Sequence, residues 1–446
     1  MTNTKNAIGQ GINSAVTRFR SSNAVSNRIF RFVFTPLALF ALAVTVCVWT
    51  TRAIACPFCS ALAPTISDDL ETSSAAVLTT CASVSKDKDG FHVYRMRVVE
   101  IIKGGPELAK TIIEVASIDE LLNGELAEGD LFWHVGFGED SIQWVFPKPM
   151  SCEATAYLRG LSDLPDRGPG RLEYFLRHLR HADDIVATDA YNEFAEATLD
   201  DIGALSDRLD REWVISQLRD ASVPVHRRRL CWTFLCQCGT AADAGLFDEL
   251  LRKRENDATF DPGMDAAMGC FISLSGEPAL ARIERDYLSN PDASYLDTFA
   301  AIGAIRVHGT ELKVLSRERL AAALRHVLNQ PALADLVIPD LARWEDWSAI
   351  DRVAELFEEA NEETRFVRPV AVLYLKTCPL PAARVSLEKL REIDPKTVES
   401  AEASMRFYGR LATVPVPAPD PDKASLGAKE SDASEVANTQ QESVAR

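Results

Sequence analysis

Residues 32–59 read FVFTPLALFALAVTVCVWTTRAIACPFC, and this stretch decides where the folded part of the chain begins. Its first eighteen residues, 32–49, form an apolar run just long enough to cross a bilayer as a helix. The basic arm before it, residues 1–31, carries Lys and Arg but no Asp or Glu, which is typical of a cytoplasmic segment. We therefore expect everything from Cys56 onward to lie outside the cytoplasm, in the cell envelope.

Three fates of the leader, residues 32–55, are compatible with the sequence. Ala53 and Ala55 form the small-x-small pattern that signal peptidase reads, and cleavage before Cys56 would give a secreted protein. Without cleavage, residues 32–49 would stay as a transmembrane helix and attach the protein to the membrane. The small residue just before Cys56 also resembles a bacterial lipoprotein site, where the first mature cysteine carries the lipid.

The charge of the chain is strongly negative, at −17 for 446 residues. Residues 1–55 hold six Lys or Arg and no acid, so the remainder has 42 basic against 65 acidic residues. Such a surface repels phosphate groups, which argues against nucleic acid and against anionic membrane surfaces as partners. The chain is too long for one hydrophobic core, so two folded domains are expected.

Residues 56–165 are predicted to form a small β domain. Tyr94, Met96 and Val98 alternate with Arg95 and Arg97, which is the period of a strand with one buried face. Val99 and Ile101 then switch sides, which indicates a β-bulge or a strand buried on both faces. Five strands with long connections favour a small antiparallel barrel or sandwich. The predicted strands are 75–84, 91–102, 111–116, 131–135 and 142–146.

Four cysteines of this domain, Cys56, Cys59, Cys81 and Cys152, predict two structural disulfides in an oxidising compartment. Three pairings are possible, and the sequence does not choose among them. A bond between Cys56 and Cys59 would close a small, strained ring, whereas bonds to Cys81 and Cys152 would close long loops and constrain the unfolded chain more. We therefore disfavour the bond between the two N-terminal cysteines.

Two resemblances attach to this domain. The N-terminal cysteine pair, the strand that runs into Lys103-Gly104, and a final helix over 151–161 that carries Cys152 resemble netrin-like and tissue-inhibitor-of-metalloproteinase-like modules. That resemblance implies an OB-like barrel with a disulfide tether, and a protease-inhibitor-like role as an alternative function. Cys56-Pro57-Phe58-Cys59 also resembles the CPxC motif of thioredoxins and glutaredoxins, which implies a thiol-redox regulator as a further alternative.

Residues 170–410 change to a period of about 3.6, which predicts an all-α domain. Helices of small and apolar residues begin near positions 184, 223, 261, 292, 331 and 365, and a more polar helix follows each of them. This alternation is typical of helical solenoids. The start Asp183-Asp184-Ile185-Val186 resembles the inner helix of HEAT-type repeats, which implies a protein-binding scaffold. The leader, the CPFC start and the helices together also resemble bacterial envelope proteins.

Two polar clusters contain residue types that can bind a metal or act as a general acid or base. His178 and His181 have a spacing that can place two imidazoles on a metal, but no third ligand is dictated and a helix end stabilises His without metal. We therefore expect no metal and no cofactor. Asp189, Glu193 and Glu196 follow helical spacing opposite the apolar stripe, which favours a solvated face over general acid–base chemistry.

Three further groups lie in the helical domain. Cys231, Cys236 and Cys238 favour core packing in one apolar helix over a metal cluster or a bridge. The basic cluster Arg227-Arg228-Arg229 is expected to pair with acids of the adjacent repeat, or to receive a carboxylate or phosphate group. Trp344 and Trp347 are expected to join two repeats, or to form a surface that stacks on a sugar or binds a peptide.

The sequence contains no Gly-rich phosphate loop, GxSxG, HExxH or Asp-rich calcium loop, so we expect no enzyme. The tail, residues 413–446, is rich in Pro and acidic residues and predicts disorder. Our leading hypothesis is a non-enzymatic scaffold outside the cytoplasm, in which the helical array binds a protein or peptide. A purely structural role in the cell envelope is the third class considered.

Overall fold

The computed structural model describes residues 56–59, 61–86, 88, 92–117, 129–138 and 141–412, without the side chains of 406–412. The chain divides into two compact units, Met1–Asp207 and Arg208–Arg446. The basic arm, the leader and the tail predicted at 413–446 lie outside the described residues. The first unit combines a β-sheet with helices, and the second is built of helices.

The expectation of a transmembrane helix is corrected by the helices that the structure describes. Within the described ranges, none of them is both long enough and apolar enough to span a bilayer. The run at 32–49, on which that expectation rested, lies outside those ranges.

The first unit contains one antiparallel sheet of six strands in the order β3-β2-β1-β4-β5, with β6 also paired to β4. Strands β1 and β2 are long because both are rich in β-branched and apolar residues. Five strands were predicted, and β6 was missed. The strands are β1 (Ala75–Lys86), β2 (His92–Lys103), β3 (Ile112–Ser117), β4 (Leu131–Phe137), β5 (Gln143–Trp144) and β6 (Lys148–Met150).

The predicted alternation in β2 is confirmed. Tyr94, Met96 and Val98 are buried and pack in one cluster, while the residues between them are exposed. A bulge is present at the predicted place, since the pairing of β1 with β2 shifts register between Leu78 and Thr79, opposite Val99. Such a shift adds local twist and re-aims the side chains that follow.

The predicted barrel is not formed. Strands β3 and β5 end the order of the sheet, and within the described residues no ladder joins them, so the sheet stays open. The coarse expectation of an antiparallel sheet followed by many helices is confirmed. The physical reason for the difference is the length of β5, which has two residues and cannot offer a full edge for closure.

The disulfide expectation is corrected as well. Cys56 is bonded to Cys59, whereas Cys81 and Cys152 are free thiols. A tight turn, in which the Cys59 amide donates to the Cys56 carbonyl at 3.1 Å, brings the two Cα atoms to 5.2 Å. That separation lies within the ordinary range for a disulfide. We favoured disulfides to Cys81 and Cys152 because long loops constrain the unfolded chain more. That reasoning did not include the local turn that brings Cys56 and Cys59 together.

Among the described residues of the first unit, five segments form α-helices. Helix α1 begins at a capping box, in which the Thr65 hydroxyl accepts from the Asp68 amide and the Asp68 carboxylate accepts from the Thr65 amide. Helix α4 begins where the Asp183 carboxylate accepts the amides of Ile185 and Val186. The helices are α1 (Ile66–Thr72), α2 (Cys152–Gly160), α3 (Pro169–His178), α4 (Asp184–Ala195) and α5 (Leu199–Gly203).

The second unit alternates two kinds of helix, as the period predicted. The odd-numbered helices from α7 to α17 are successive neighbours, and each even-numbered helix packs beside them. The helices are α6 (Arg211–Arg219), α7 (Val225–Cys238), α8 (Gly245–Asn256), α9 (Met264–Ser275), α10 (Glu277–Ile283), α11 (Tyr295–Val307), α12 (Arg317–Arg325), α13 (Ala334–Arg343), α14 (Ile350–Glu359), α15 (Val367–Thr377), α16 (Pro381–Ile393) and α17 (Pro395–Ala412).

Candidate docking face on helices α11 and α13

Helix α11 presents large apolar side chains to solvent at its N-terminal end. Tyr295, Leu296 and Phe299 have 55%, 72% and 47% of their surface exposed. The rings of Tyr295 and Phe299 stack with centroids 6.2 Å apart. The opposite side of the helix carries Ala301 and Ile305, which are completely buried. The helix therefore buries one apolar side in the protein and leaves a second one uncovered.

The exposed stripe of α11 ends in a cluster of charges. Leu296, Phe299, Gly303 and Arg306 are three or four residues apart and so lie on one side of the helix. The Arg306 guanidinium donates to the Asp340 carboxylate on α13 at 2.7 and 2.9 Å. It also donates to a backbone carbonyl of α13 at 3.2 Å. Leu296 and Arg306 are separated by about 15 Å along the helix axis.

Two arginines share the one carboxylate. Arg343 donates to Asp340 at 2.8 Å, on the oxygen that Arg306 Nε approaches at 3.1 Å. The Asp340 side chain is 1% exposed, whereas Arg306 and Arg343 are 39% and 58% exposed. The cluster therefore carries a net charge of +1 with its positive groups facing solvent. Such donors suit a carboxylate, because planar guanidinium groups match its two oxygens.

A groove lies further along the same series of helices, between α15 and α17. It encloses about 690 Å³, a size typical of sites that hold small ligands or short peptide segments. One wall is apolar and the other is made mainly of small residues. The lining residues are Pro369, Val370, Leu373, Thr397, Ser400, Ala401, Ser404 and Met405.

Two acidic side chains of α4, in the first unit, are buried although the sequence predicted them to be exposed. Asp189 and Glu193 were expected on a solvated face, but they are only 5% and 8% exposed. Glu196 is exposed, in agreement with the expectation. The N-terminal segment that contains α1 packs over this side of α4. The Asp189 carboxylate accepts the Ile66 amide there at 2.7 Å. A helical wheel cannot foresee a segment that returns to cover a polar face.

The buried acids are held by a network of hydrogen bonds. Asp189 also accepts the Tyr157 hydroxyl at 2.7 Å, and the Asn192 side chain accepts the Leu62 amide at 2.9 Å. Arg171 donates three bonds to Glu193, at 2.8, 3.0 and 3.2 Å. Because each buried polar group has a partner here, the network stabilises the attachment of the N-terminal segment.

Burial has the largest effect on the pKa values of Asp189 and Tyr157 in this network. Desolvation raises the pKa of Asp189 to about 6, although the hydrogen bonds from Tyr157 and the Ile66 amide act in the opposite direction. Desolvation, reinforced by the Asp189 charge, also raises the pKa of Tyr157, so the phenol stays protonated. The cluster thus contains a carboxyl group that titrates near neutral pH, enclosed among side chains of the protein.

His178 and His181 are both occupied by local contacts. His178 Nδ1 is 2.8 Å from the Tyr174 carbonyl, and His181 Nδ1 accepts the Asp183 amide at 3.0 Å. The two rings are 6.1 Å apart. In the part of the chain that the structure describes, no group of three or more His, Cys, Asp or Glu side chains is arranged to hold a metal.

The three arginines at the start of α7 take different roles. Arg229 pairs with Asp265 of the neighbouring helix α9 at 3.0 Å. Arg228 is 4% exposed, lies over the Phe260 ring at 4.4 Å and donates to the Val223 carbonyl at 2.6 Å. Arg227 is partly buried. The cluster is therefore dispersed, and does not converge on one anion site.

The two tryptophans lie at contacts between helices. The Trp344 ring sits against Gly309, where a Cβ atom would approach it within 2.1 Å, so only glycine leaves room for the ring. Trp347 meets the Tyr374 ring edge-on at 5.2 Å. Both side chains are partly exposed. Each ring therefore contacts a residue distant in sequence, and a role in joining repeats stays a prediction.

The chain was compared with known proteins. No family model matches it, and no curated protein matches it in sequence. A solved structure of human deoxyhypusine hydroxylase in complex with glycerol is similar over 58% of this chain and 92% of that one. The identity is 16% and the TM-score is 0.23, so the likeness carries no argument about this protein.

Proposed function

We propose that this protein is a non-enzymatic, extracytoplasmic scaffold whose helical unit is a HEAT-like array that binds a protein or peptide. The proposal rests mainly on one observation, the three uncovered apolar side chains at the start of α11. Monomeric proteins seldom expose contiguous large apolar residues unless the patch binds something. Alternating helices that pack as successive neighbours support the HEAT-like description.

The chemistry of the face suggests the kind of partner. Leu296 and Phe299 offer contacts for a large apolar side chain, and the Arg306–Arg343 cluster offers donors for a carboxylate. We infer a peptide segment with an apolar residue at one end and Asp or Glu at the other, about 15 Å apart. An acidic partner also fits the local charge of +1, which contrasts with the net negative charge of the whole chain.

A selection of displayed random twelve-residue peptides on the immobilised full chain tests this proposal. We expect enriched peptides to combine Leu or an aromatic residue with Asp or Glu at the stated distance. Leu296→Ser should weaken their binding about 10-fold or more, since one buried apolar contact contributes roughly 1.5–3 kcal/mol. Arg343→Ala should weaken it several-fold and reduce its dependence on salt.

Val385→Ser is the matched control, because Val385 is 59% exposed on α16, away from the face. It should leave the affinity of the selected peptides unchanged. Peptides that bind wild type and the Leu296→Ser variant equally would exclude this face as the docking site. Selected peptides with no acidic residue would exclude the carboxylate part of the proposal.

One observation favours a second candidate, a thiol-redox role at the N-terminus. Cys56 and Cys59 of the CPFC motif are bonded to each other, which is the pairing that a redox dithiol requires. An insulin-reduction assay with the reduced protein tests it. Activity that is lost in Cys59→Ser would support the role, whereas a rate equal to that of the buffer would reject it.

A further inference from the structure

Helices α7 and α9 pack side by side with a constant offset in sequence. Arg229 pairs with Asp265 at 3.0 Å, and a Cβ atom at Gly263 would meet the Arg229 side chain at 2.9 Å. At the other end of the helices, a Cβ atom at Gly239 would meet Leu274 at 3.1 Å. These contacts join residues 34 to 36 positions apart, so the two helices run in the same direction with one register.

The same register places Cys236 of α7 beside Cys270 of α9, which is 34 positions later. The Cys236 thiol is near enough to Cys270 to act on its electrostatics. Cys270 is completely buried, and Cys236 is partly exposed. Burial and the neighbouring thiols raise the pKa of Cys270 well above its ordinary value.

Small residues flank Cys270 on α9. Ala266, Ala267 and Gly269 come just before Cys270 on α9, and all three are buried. The distance between packed helices depends on the size of the side chains at the contact. A short distance between backbones is what a disulfide requires, since its two Cα atoms are usually 4.4 to about 6.8 Å apart.

We propose that Cys236 and Cys270 form an oxidisable pair that becomes a disulfide between α7 and α9. The pair joins two successive helices of the series and would hold their register. Cys238, two residues from Cys236, is a third thiol near Cys270 and lies on the more exposed end of α7. This inference stands apart from the proposed docking face, and either can fail alone.

The oxidant is a small-molecule or protein disulfide of the thiol-exchange class. The thiolate of Cys236 attacks one sulfur of that disulfide, which releases one thiolate and leaves a mixed disulfide on Cys236. Cys270 then loses its proton and attacks the Cys236 sulfur, which releases the second thiolate. Two protein thiols are oxidised, one external disulfide is reduced, and the two protons end on the two released thiols.

The test uses the folded full chain, treated with oxidised glutathione, blocked with a maleimide and digested with trypsin without reduction. Cleavage places Cys236 in the peptide 230–252 and Cys270 in the peptide 255–282. We expect these two peptides to be recovered joined by a disulfide, with fragmentation assigning the bond to Cys236. Glutathione on the exposed Cys152 shows that the reagent acted.

Cys236→Ser should abolish the joined peptides, while Cys238→Ser, two residues away, should leave them unchanged. Because Cys236 is partly exposed, its serine variant is expected to fold, and circular dichroism checks this. Free Cys236 and Cys270 in a sample that carries glutathione on Cys152 would overturn the proposal. A bond assigned to Cys238 in place of Cys236 would also overturn it.

Discussion

Helix α4 has a covered polar face, whereas helix α11 has an exposed apolar face. Helix α4 buries two acids, Asp189 and Glu193, whereas α11 exposes an aromatic ring and a leucine at its start. The acids of α4 are covered by the segment that contains α1, which supplies donors to them. Across the described residues that pack around α11, no such segment covers Leu296 and Phe299.

The difference in exposure between α4 and α11 corresponds to two different roles for a helix. A buried polar face with every group paired attaches one part of the chain to another. An exposed apolar face with a charged end is suited to a partner from outside the chain. Equivalent substitutions on the two helices should therefore have different effects on stability and on binding.

The largest effect is expected for Phe194→Ala in α4. Phe194 is completely buried, so its loss removes a large apolar contact and leaves a cavity. We expect the free energy of unfolding of the sheet-containing unit to fall by about 3–5 kcal/mol. Urea titration followed by circular dichroism measures the change, and a loss below about 1 kcal/mol would contradict the burial.

Asp189→Ala should follow, with a loss of about 2–4 kcal/mol in the same titration. The change leaves the Ile66 amide and the Tyr157 hydroxyl without their buried acceptor. Asp184→Ala, in the exposed first turn of the same helix, is the matched control. It should cost at most about 1 kcal/mol, through the helix dipole. Equal losses for the two variants would show that the buried network contributes nothing.

The pH dependence of stability should reveal the same carboxyl group. Folding raises the pKa of Asp189 from 3.8 to about 6, so the folded state holds the proton more tightly than the unfolded state. The resulting stabilisation is complete below about pH 4 and is lost as the pH rises through about 6. We expect wild type to lose roughly 1–3 kcal/mol relative to Asp189→Asn over that interval. Parallel urea midpoints for the two proteins would contradict this.

Phe299→Ala in α11 should have the smallest effect on stability, below about 1 kcal/mol. Its ring is 47% exposed, so truncation leaves little cavity. The same change should reduce the affinity for selected peptides. Urea titration followed by circular dichroism measures the stability, and fluorescence anisotropy measures the affinity. A loss of stability as large as that of Phe194→Ala would show that the ring is part of the core and not a docking surface.

Much of the secondary structure was predictable from local pattern. The alternation around Tyr94, Met96 and Val98 indicated β2, and the 3.6 period indicated the series of helices from α7 to α16. The last helix, α17, was not predicted, and two short elements, α1 and β6, were also missed. A seven-residue helix that depends on one capping box, or a three-residue strand that depends on its partner, has too few residues to show a period.

The sites were less predictable, because they depend on contacts between distant residues. Asp189 looked solvated on a helical wheel, since nothing in α4 itself announces that residues 62 to 66 will cover it. Cys270 is a single cysteine in a helix of small residues, so the local sequence does not mark it as part of a site. Only the register between α7 and α9 brings it near Cys236. The sequence predicted a helix of small and apolar residues beginning near position 292, but it did not show which of its apolar side chains stay exposed.

The sequence by itself determined the two classes of structure, a sheet followed by helices, because hydrophobic period is a local property of the chain. It also determined the excess of acidic residues and the cysteines that are present. Tertiary structure alone decided that the sheet stays open, that Cys56 bonds to Cys59, and which helical faces are covered. These outcomes depend on which surfaces meet, and burial changes both the cost of a charge and the availability of an apolar face.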